Sequence, residues 1–229
     1  MQVMMYSILF VIVTIAVYLV MNLLYFKYRK AFFIPILTTT VGIILILILF
    51  KVPYETYMLG GKWVDLLLGP AIVSLAIPLY KQRELIKQNM LPILGGVMTG
   101  VLFGMVSGVL FAKMAGFSKE IVVSLLPKSI TTPIAIQIAS ELGGATSLTI
   151  AFVMIAGFTG IILGPTFLKW YRIDTAIGRG IGLGAAAHAL GTSKAIEIGE
   201  QEASYSSIAM TLSAIIGSIV GPLIAWLFY

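Results

Sequence analysis

The sequence predicts an all-α polytopic membrane protein, and three observations carry that prediction. Apolar residues fill 59% of the 229 positions and charged residues only 10%, with a mean hydropathy of +1.05. The apolar residues are gathered into runs at 2–26, 31–50, 63–80, 90–112, 146–168 and 205–229, and the cations sit mainly between those runs. A soluble core of this size cannot hide so much apolar surface, whereas each run can cross a hydrocarbon layer of ~30 Å at ~1.5 Å per residue. About six transmembrane helices are therefore expected. Two further segments, 118–144 and 176–200, break the pattern.

The run from Gln2 to Phe26 has no basic leading segment and no small-residue cleavage site, so it reads as a retained span and not as a signal peptide. The second run, 31–50, carries no charged residue. Gly69, Pro70 and Pro78 in the third predict a kinked or partly unwound helix, with Asp65 near its outer end. In the fourth, Gly95, Gly96, Gly100, Gly104 and Gly108 give small-xxx-small spacing, which lets helix backbones approach closely. The runs at 146–168 and 205–229 are plain spans.

A net charge of +6 would point to nucleic acid in a soluble domain, but here the cations report topology. Lys27, Arg29, Lys30, Lys81, Arg83, Lys87, Lys169, Arg172 and Arg179 fall on one side, and Lys51, Lys62, Lys113 and Lys119 on the other. The richer side is expected to be cytoplasmic, which places the N-terminus outside the cell membrane. The absence of cysteine excludes disulfides and thiol chemistry, and a single histidine excludes a multi-histidine metal site. No phosphate-binding loop or zinc motif occurs, so no catalytic residue, metal or cofactor is expected.

That topology constrains the first broken segment. The 90–112 span ends outside and the 146–168 span must begin there, so 118–144 should enter and leave on one face as a re-entrant hairpin. Irregular backbone at that depth is tolerated where protein or a water-filled cavity covers it. Pro127, Pro133, Gly143 and Gly144 interrupt this segment; Gly178, Gly180, Gly182, Gly184 and Gly191 interrupt the second.

An internal repeat links them. An offset of 60 places Thr132 on Thr192, Ala135 on Ala195, Ile136 on Ile196, Ile138 on Ile198 and Gly157 on Gly217. It also places Lys128 on His188 and Gln137 on Glu197. One hairpin plus one crossing span makes an odd number of crossings, so two such units in tandem are inverted in the membrane. The expected organisation is an N-terminal scaffold of about four spans, 1–112, and a core, 113–229, with repeats 118–171 and 176–229.

Where a helix ends and another begins at membrane depth, free N–H groups and the positive end of the helix dipole suit a small anion. Lys128, Ser129, Thr131 and Thr132 supply charge and hydroxyls in the first segment, and Pro133 suits the first turn of a new helix. His188, Gly191, Thr192, Ser193 and Lys194 are their counterparts in the second. Lys194, Glu197 and Glu200 are spaced to share a helix face, which makes Glu197 or Glu200 the candidate proton or cation relay. Glu202 reads as part of a solvated interfacial turn. The structural alternatives are a snorkelling Lys128, a His188 that pairs two helices, and hydroxyls bonded to their own preceding turns.

The segments LLLGPAIVSLAIPLYKQ, LLPKSITTPIAI and GAAAHALGTSKAIEIGEQEASYSSIAM resemble the LrgB/CidB family of bacterial membrane proteins, from about residue 60 onward. The resemblance implies two descriptions. One is an antiholin-like or holin-like role in murein hydrolase activity, autolysis and programmed cell death, with a small LrgA/CidA-type membrane partner. The other is small-carboxylate transport, as in the related plastid glycolate/glycerate translocator. It carries site roles onto Lys128, Ser129, Thr131, Thr132, Pro133, His188, Gly191, Thr192, Lys194, Glu197 and Glu200. GAAAHA stands where the family has a GAASHA-like motif, so a hydroxyl before the histidine is missing here. The residues themselves favour alternating-access transport of a pyruvate-like or glycolate-like monocarboxylate in a homodimer, with the holin-like role as the alternative.

Overall fold

A computed structural model describes residues 2–28, 33–74 and 76–229, and among these it contains twelve helices and no strand. They are α1 (Gln2–Tyr28), α2 (Pro35–Leu49), α3 (Tyr54–Asp65), α4 (Leu68–Ser74), α5 (Ala76–Lys81), α6 (Arg83–Gln88), α7 (Met90–Met114), α8 (Lys119–Leu125), α9 (Thr132–Glu141), α10 (Thr146–Trp170), α11 (Ala176–Ile198) and α12 (Glu200–Phe228). Four helices among the described residues are long and apolar enough to cross a membrane: α1, α7, α10 and α12. The polytopic all-α class predicted from composition is the class observed. Arg29 and Lys30 of the first cation cluster lie outside the described residues.

The expected span at 63–80 is not one helix. Asp65 ends α3, and a turn at 66–67 separates it from α4. Pro70 stands in the first turn of α4, where its missing N–H costs nothing, so it starts a helix here instead of kinking one. The second run forms a fifteen-residue helix, α2, ~22 Å long at ~1.5 Å per residue.

The chain forms two compact units, Met1–Ala71 and Ile72–Tyr229. In the first, α1 packs on α2 and α3. Gly60 makes the approach to α1 possible: a Cβ there would lie 2.7 Å from the Ser7 carbonyl oxygen. Tyr57 adds an edge-on contact with Phe10, 5.7 Å between ring centres, and a 3.1 Å hydrogen bond with the Thr14 hydroxyl. Most other apolar side chains of α1 are exposed, as a lipid-facing helix requires.

In the second unit α7 is the central post. The small-xxx-small spacing is used as expected: Gly96 faces Ile181, Gly100 faces Ala185, Gly104 faces Ser129 and Gly108 faces Lys128. The sequence groups α7 with a scaffold ending at 112, whereas its packing places it in the same compact unit as both broken segments.

Each broken segment turns back on itself. Ser124 of α8 receives a 2.8 Å hydrogen bond from the Ala145 backbone N–H, just beyond α9, so the segment leaves where it entered. Gly143, at φ +82°, lets α9 close: the Gly144 N–H reaches the Ala139 carbonyl at 2.7 Å. In α11 the chain reverses at His188. Gly191 on the returning limb lies so close to the Leu183 carbonyl that no Cβ would fit between them. Arg179 near the start of α11 pairs at 2.6 Å with Glu202, just past its end. Both ends of 176–198 therefore lie together.

Along α7 the first hairpin arrives from the Met114 end and the second from the Met90 end, since Ile181 and Ala185 precede Ser129 and Lys128 in register. The two hairpins are inverted with respect to α7.

Candidate functional site

The tip of the first hairpin is the stretch between α8 and α9. Pro127 and Pro133 bound it, and two tight turns, Lys128 N–H to Leu125 O and Ile130 N–H to Pro127 O, carry the chain across. α9 begins at Thr132, with Pro133 in its first turn and Thr131 as the preceding cap residue. The Thr131 hydroxyl does not cap the helix, so the first N–H groups of α9 keep no side-chain acceptor from that residue. Lys128 is half-buried and donates to the Gly104 carbonyl at 2.8 Å. An ammonium has three donors, and among the described residues this carbonyl is its one hydrogen-bond acceptor.

The second tip is built differently. A single residue, His188, carries the reversal at φ 45°, ψ −132°, inside an otherwise helical run. A β-carbon is disfavoured there, at a cost of about 1–3 kcal/mol, and the surroundings must impose the conformation. The ring is 3% exposed and its Nε2 lies 3.1 Å from the Val153 carbonyl of α10. A carbonyl only accepts, so Nε2 carries the proton and Nδ1 is the nitrogen able to gain one.

Thr192 and Ser193 both bond the preceding turn, at 3.1 Å to His188 O and 2.7 Å to Leu190 O. Thr192 also meets the Ser206 hydroxyl of α12 at 3.0 Å, while Ser193 is exposed. Gly191 serves the close return of the hairpin.

The expected charged face on 194–200 is divided by the structure. Lys194 pairs with Glu197 at 2.7 Å on α11, and Gly199 separates them from Glu200, which opens α12 and is exposed. Glu197 thus shares a helix face with Lys194, as the spacing predicts, whereas Glu200 stands on the next helix and does not. Glu202 is the correction of opposite sign. Far from being solvated, its side chain is 8% exposed and takes two hydrogen bonds from Arg179, 3.0 Å from Nε and 2.6 Å from an Nη. Arg179 also donates to Asp174 O at 2.9 Å, so it ties the base of the second hairpin together.

The crossing helices receive the tips in exchange. Ile130 of the first tip sits on Gly217 of α12, and Leu190 of the second sits on Gly157 of α10. Both pairs are related by the offset of 60, and each joins one repeat's tip to the other repeat's crossing helix. The glycines open the space: a Cβ at Gly157 would lie 2.6 Å from Leu190 Cδ1 and 2.9 Å from the His188 ring.

Sequence reasoning identified both tips but missed their partners: the Gly104 and Val153 carbonyls, Ser206, and Arg179 with Glu202. Arg179 was legible only as a topological cation. A separate cavity of about 220 Å³ between α10 and the first limb of α11 is lined by Gly160, Gly164, Phe167, Leu183 and Ala187 among others. Its lining is almost wholly apolar, which suits hydrocarbon and not a carboxylate.

The LrgB-like family model matches residues 14–227. The chain is 55% identical over 223 residues to the uncharacterized protein YxaC of Bacillus subtilis, with 97% of each chain covered. It is 39% identical, again over 97% of each, to the holin-like protein CidB of Staphylococcus aureus strain Mu50. It is 35% identical to the uncharacterized protein YwbG of Bacillus subtilis, over 91% of this chain and 93% of that one. No solved structure matches it. A membrane protein with two inverted hairpins and matched over nearly its whole length in this way belongs to the LrgB-like family.

Proposed function

We propose that this chain moves small monocarboxylates across a bacterial cytoplasmic membrane by alternating access at its two hairpin tips. The observation that carries the reading is the pair of hairpins entering from opposite ends of α7, with Lys128 on one tip and His188 on the other. Inverted hairpins suit alternating access, because either tip can open its own face while the other stays shut. Lys128 attracts the carboxylate, the open N-terminus of α9 and Thr132 orient it, and the free nitrogen of His188 takes or releases a proton. Ser129, Thr131 and Thr192 complete the hydroxyl lining. Glu197 and Glu200, both exposed, serve coupling only from the rim.

The second reading is a holin-like role in autolysis and cell death with a small LrgA/CidA-type partner. The holin-like CidB relatives support it more directly than they support transport. The two readings are compatible if altered carboxylate flux is the route to lysis. The N-terminus faces outward by the cation count, and the protein works as a homodimer.

Purified protein in liposomes loaded with labelled pyruvate or glycolate tests the first reading. Saturable uptake is expected, with no leakage of an unrelated dye; dye leakage without saturable uptake assigns the holin-like role instead. Lys128→Met should lower flux at least ~10-fold while leaving insertion intact, since a charge-assisted hydrogen bond to the substrate is lost. Single cysteines at Glu120 and Gly143 should label from one face.

A further inference from the structure

One stripe of α12 joins the two tips. Ser206 bonds Thr192 at 3.0 Å, and the Met210 sulfur lies 3.9 Å from the same hydroxyl. Gly217 carries Ile130 of the other tip. Ser213 belongs to the same stripe, three residues beyond Met210 and four before Gly217, so it faces the interval between the tips.

Its hydroxyl is anomalous. Ser213 is 1% exposed, and its Oγ has no hydrogen-bond partner. Hydroxyls in membrane helices ordinarily bond the carbonyl one turn back, and those nearby on α12 do: Thr211 to Ser207 O at 2.9 Å and Ser218 to Ala214 O at 2.8 Å. Ser213 forgoes that bond. A buried hydroxyl left unpaired destabilises the state that buries it, and such a group calls for an explanation in a second state.

We infer that the Ser213 hydroxyl is a substrate-binding group, donating a hydrogen bond to a small carboxylate once a hairpin tip has moved off α12. This rests on the transport reading above. An anion fits the interval better than a cation does. Lys128 lies on the adjoining tip, whereas Glu202 is committed to Arg179, Glu197 is paired with Lys194, and Glu200 is exposed. A cation at this position would therefore lack a counter-charge. Serine also keeps the stripe narrow enough for both tips to close on α12. Closure leaves the donor unpaired and the open, loaded state pairs it, which favours opening when substrate is present.

The test is the thermal stability of detergent-solubilised protein with and without pyruvate or glycolate, read beside liposome uptake, for the unaltered chain and for Ser213→Ala. Alanine keeps the packing and removes only the hydroxyl. The expected result is a substrate-induced rise in Tm for the unaltered chain, little or none for Ser213→Ala, a substrate-free Tm that is equal or higher in the variant, and a KM for uptake raised about tenfold. An equal substrate-induced rise in both proteins overturns the inference and leaves the transport reading standing. A lower substrate-free Tm in Ser213→Ala overturns it as well, because the hydroxyl would then have a partner within the protein. Absence of both uptake and a substrate-induced rise in the unaltered chain overturns the transport reading and this inference together.

Discussion

The two hairpins descend from one repeated pattern but are held by different atoms. The first tip is seated through side-chain ends: Ser129 and Lys128 against Gly104 and Gly108, where an added Cβ would sit at an ordinary 3.5–3.6 Å. The second tip also meets Gly157 through Leu190 and His188, but the limbs of its hairpin are packed backbone to backbone. Gly184 meets the Ser206 carbonyl, Gly191 meets the Leu183 carbonyl, and neither leaves room for a side-chain atom. The first break is spread over the stretch from Leu126 to Thr131, and the second is concentrated in His188. A side-chain seat can slide by changing rotamers, whereas a backbone seat is kept or lost whole. The difference predicts that the first tip moves more readily than the second.

Alanine at the seating glycines breaks the comparison most sharply. Gly191→Ala and Gly184→Ala should each cost more than ~3 kcal/mol, the upper end for overpacking, because a carbonyl cannot rotate away as a side chain can. Gly108→Ala and Gly104→Ala should cost under ~1 kcal/mol. Yield of folded protein and Tm in detergent check both, and equal losses in the two sets would remove the distinction.

A middle-sized effect is expected at the base of the second hairpin. Arg179→Met leaves Glu202 buried without its donors, which should cost about 1–3 kcal/mol, moderated because Arg179 is 30% exposed. The double variant Arg179→Met/Glu202→Met should recover part of that loss, because no lone charge is left behind. The smallest effect falls on the rim. Lys194→Ala removes a partly exposed ion pair with Glu197 and should change stability by less than ~1 kcal/mol. A large fall in flux without a fall in Tm would instead place Lys194 in the transport path.

The spans and both breaks were legible because they depend on local properties: hydropathy over a bilayer length, and proline or glycine where a helix stops. Pro133 in the first turn of α9 is such a case. The repeat was legible too, including Gly157 on Gly217, although the Ile130 and Leu190 side chains that seat on those glycines were not. What escaped reading was tertiary. Glu202 reads as a surface residue because it lies in a polar run with Glu200 and Gln201, and only the reversal of α11 brings Arg179 to it. The apolar run at 63–80 hid the turn at 66–67 between α3 and α4, since hydropathy reports burial in lipid and not helix continuity. Ser213 was unremarked because a serine in an apolar helix normally satisfies itself.

The exchange of tips between repeats has a consequence for biosynthesis. As the chain leaves the ribosome, α10 is made before α11, so the tip carrying His188 finds its seat already in the membrane. The tip carrying Ile130 does not: its seat at Gly217 follows only after α10 and α11 have been made. The first repeat must therefore wait, inserted but unfinished, for the second to complete it. Neither repeat expressed by itself has a closed surface to offer.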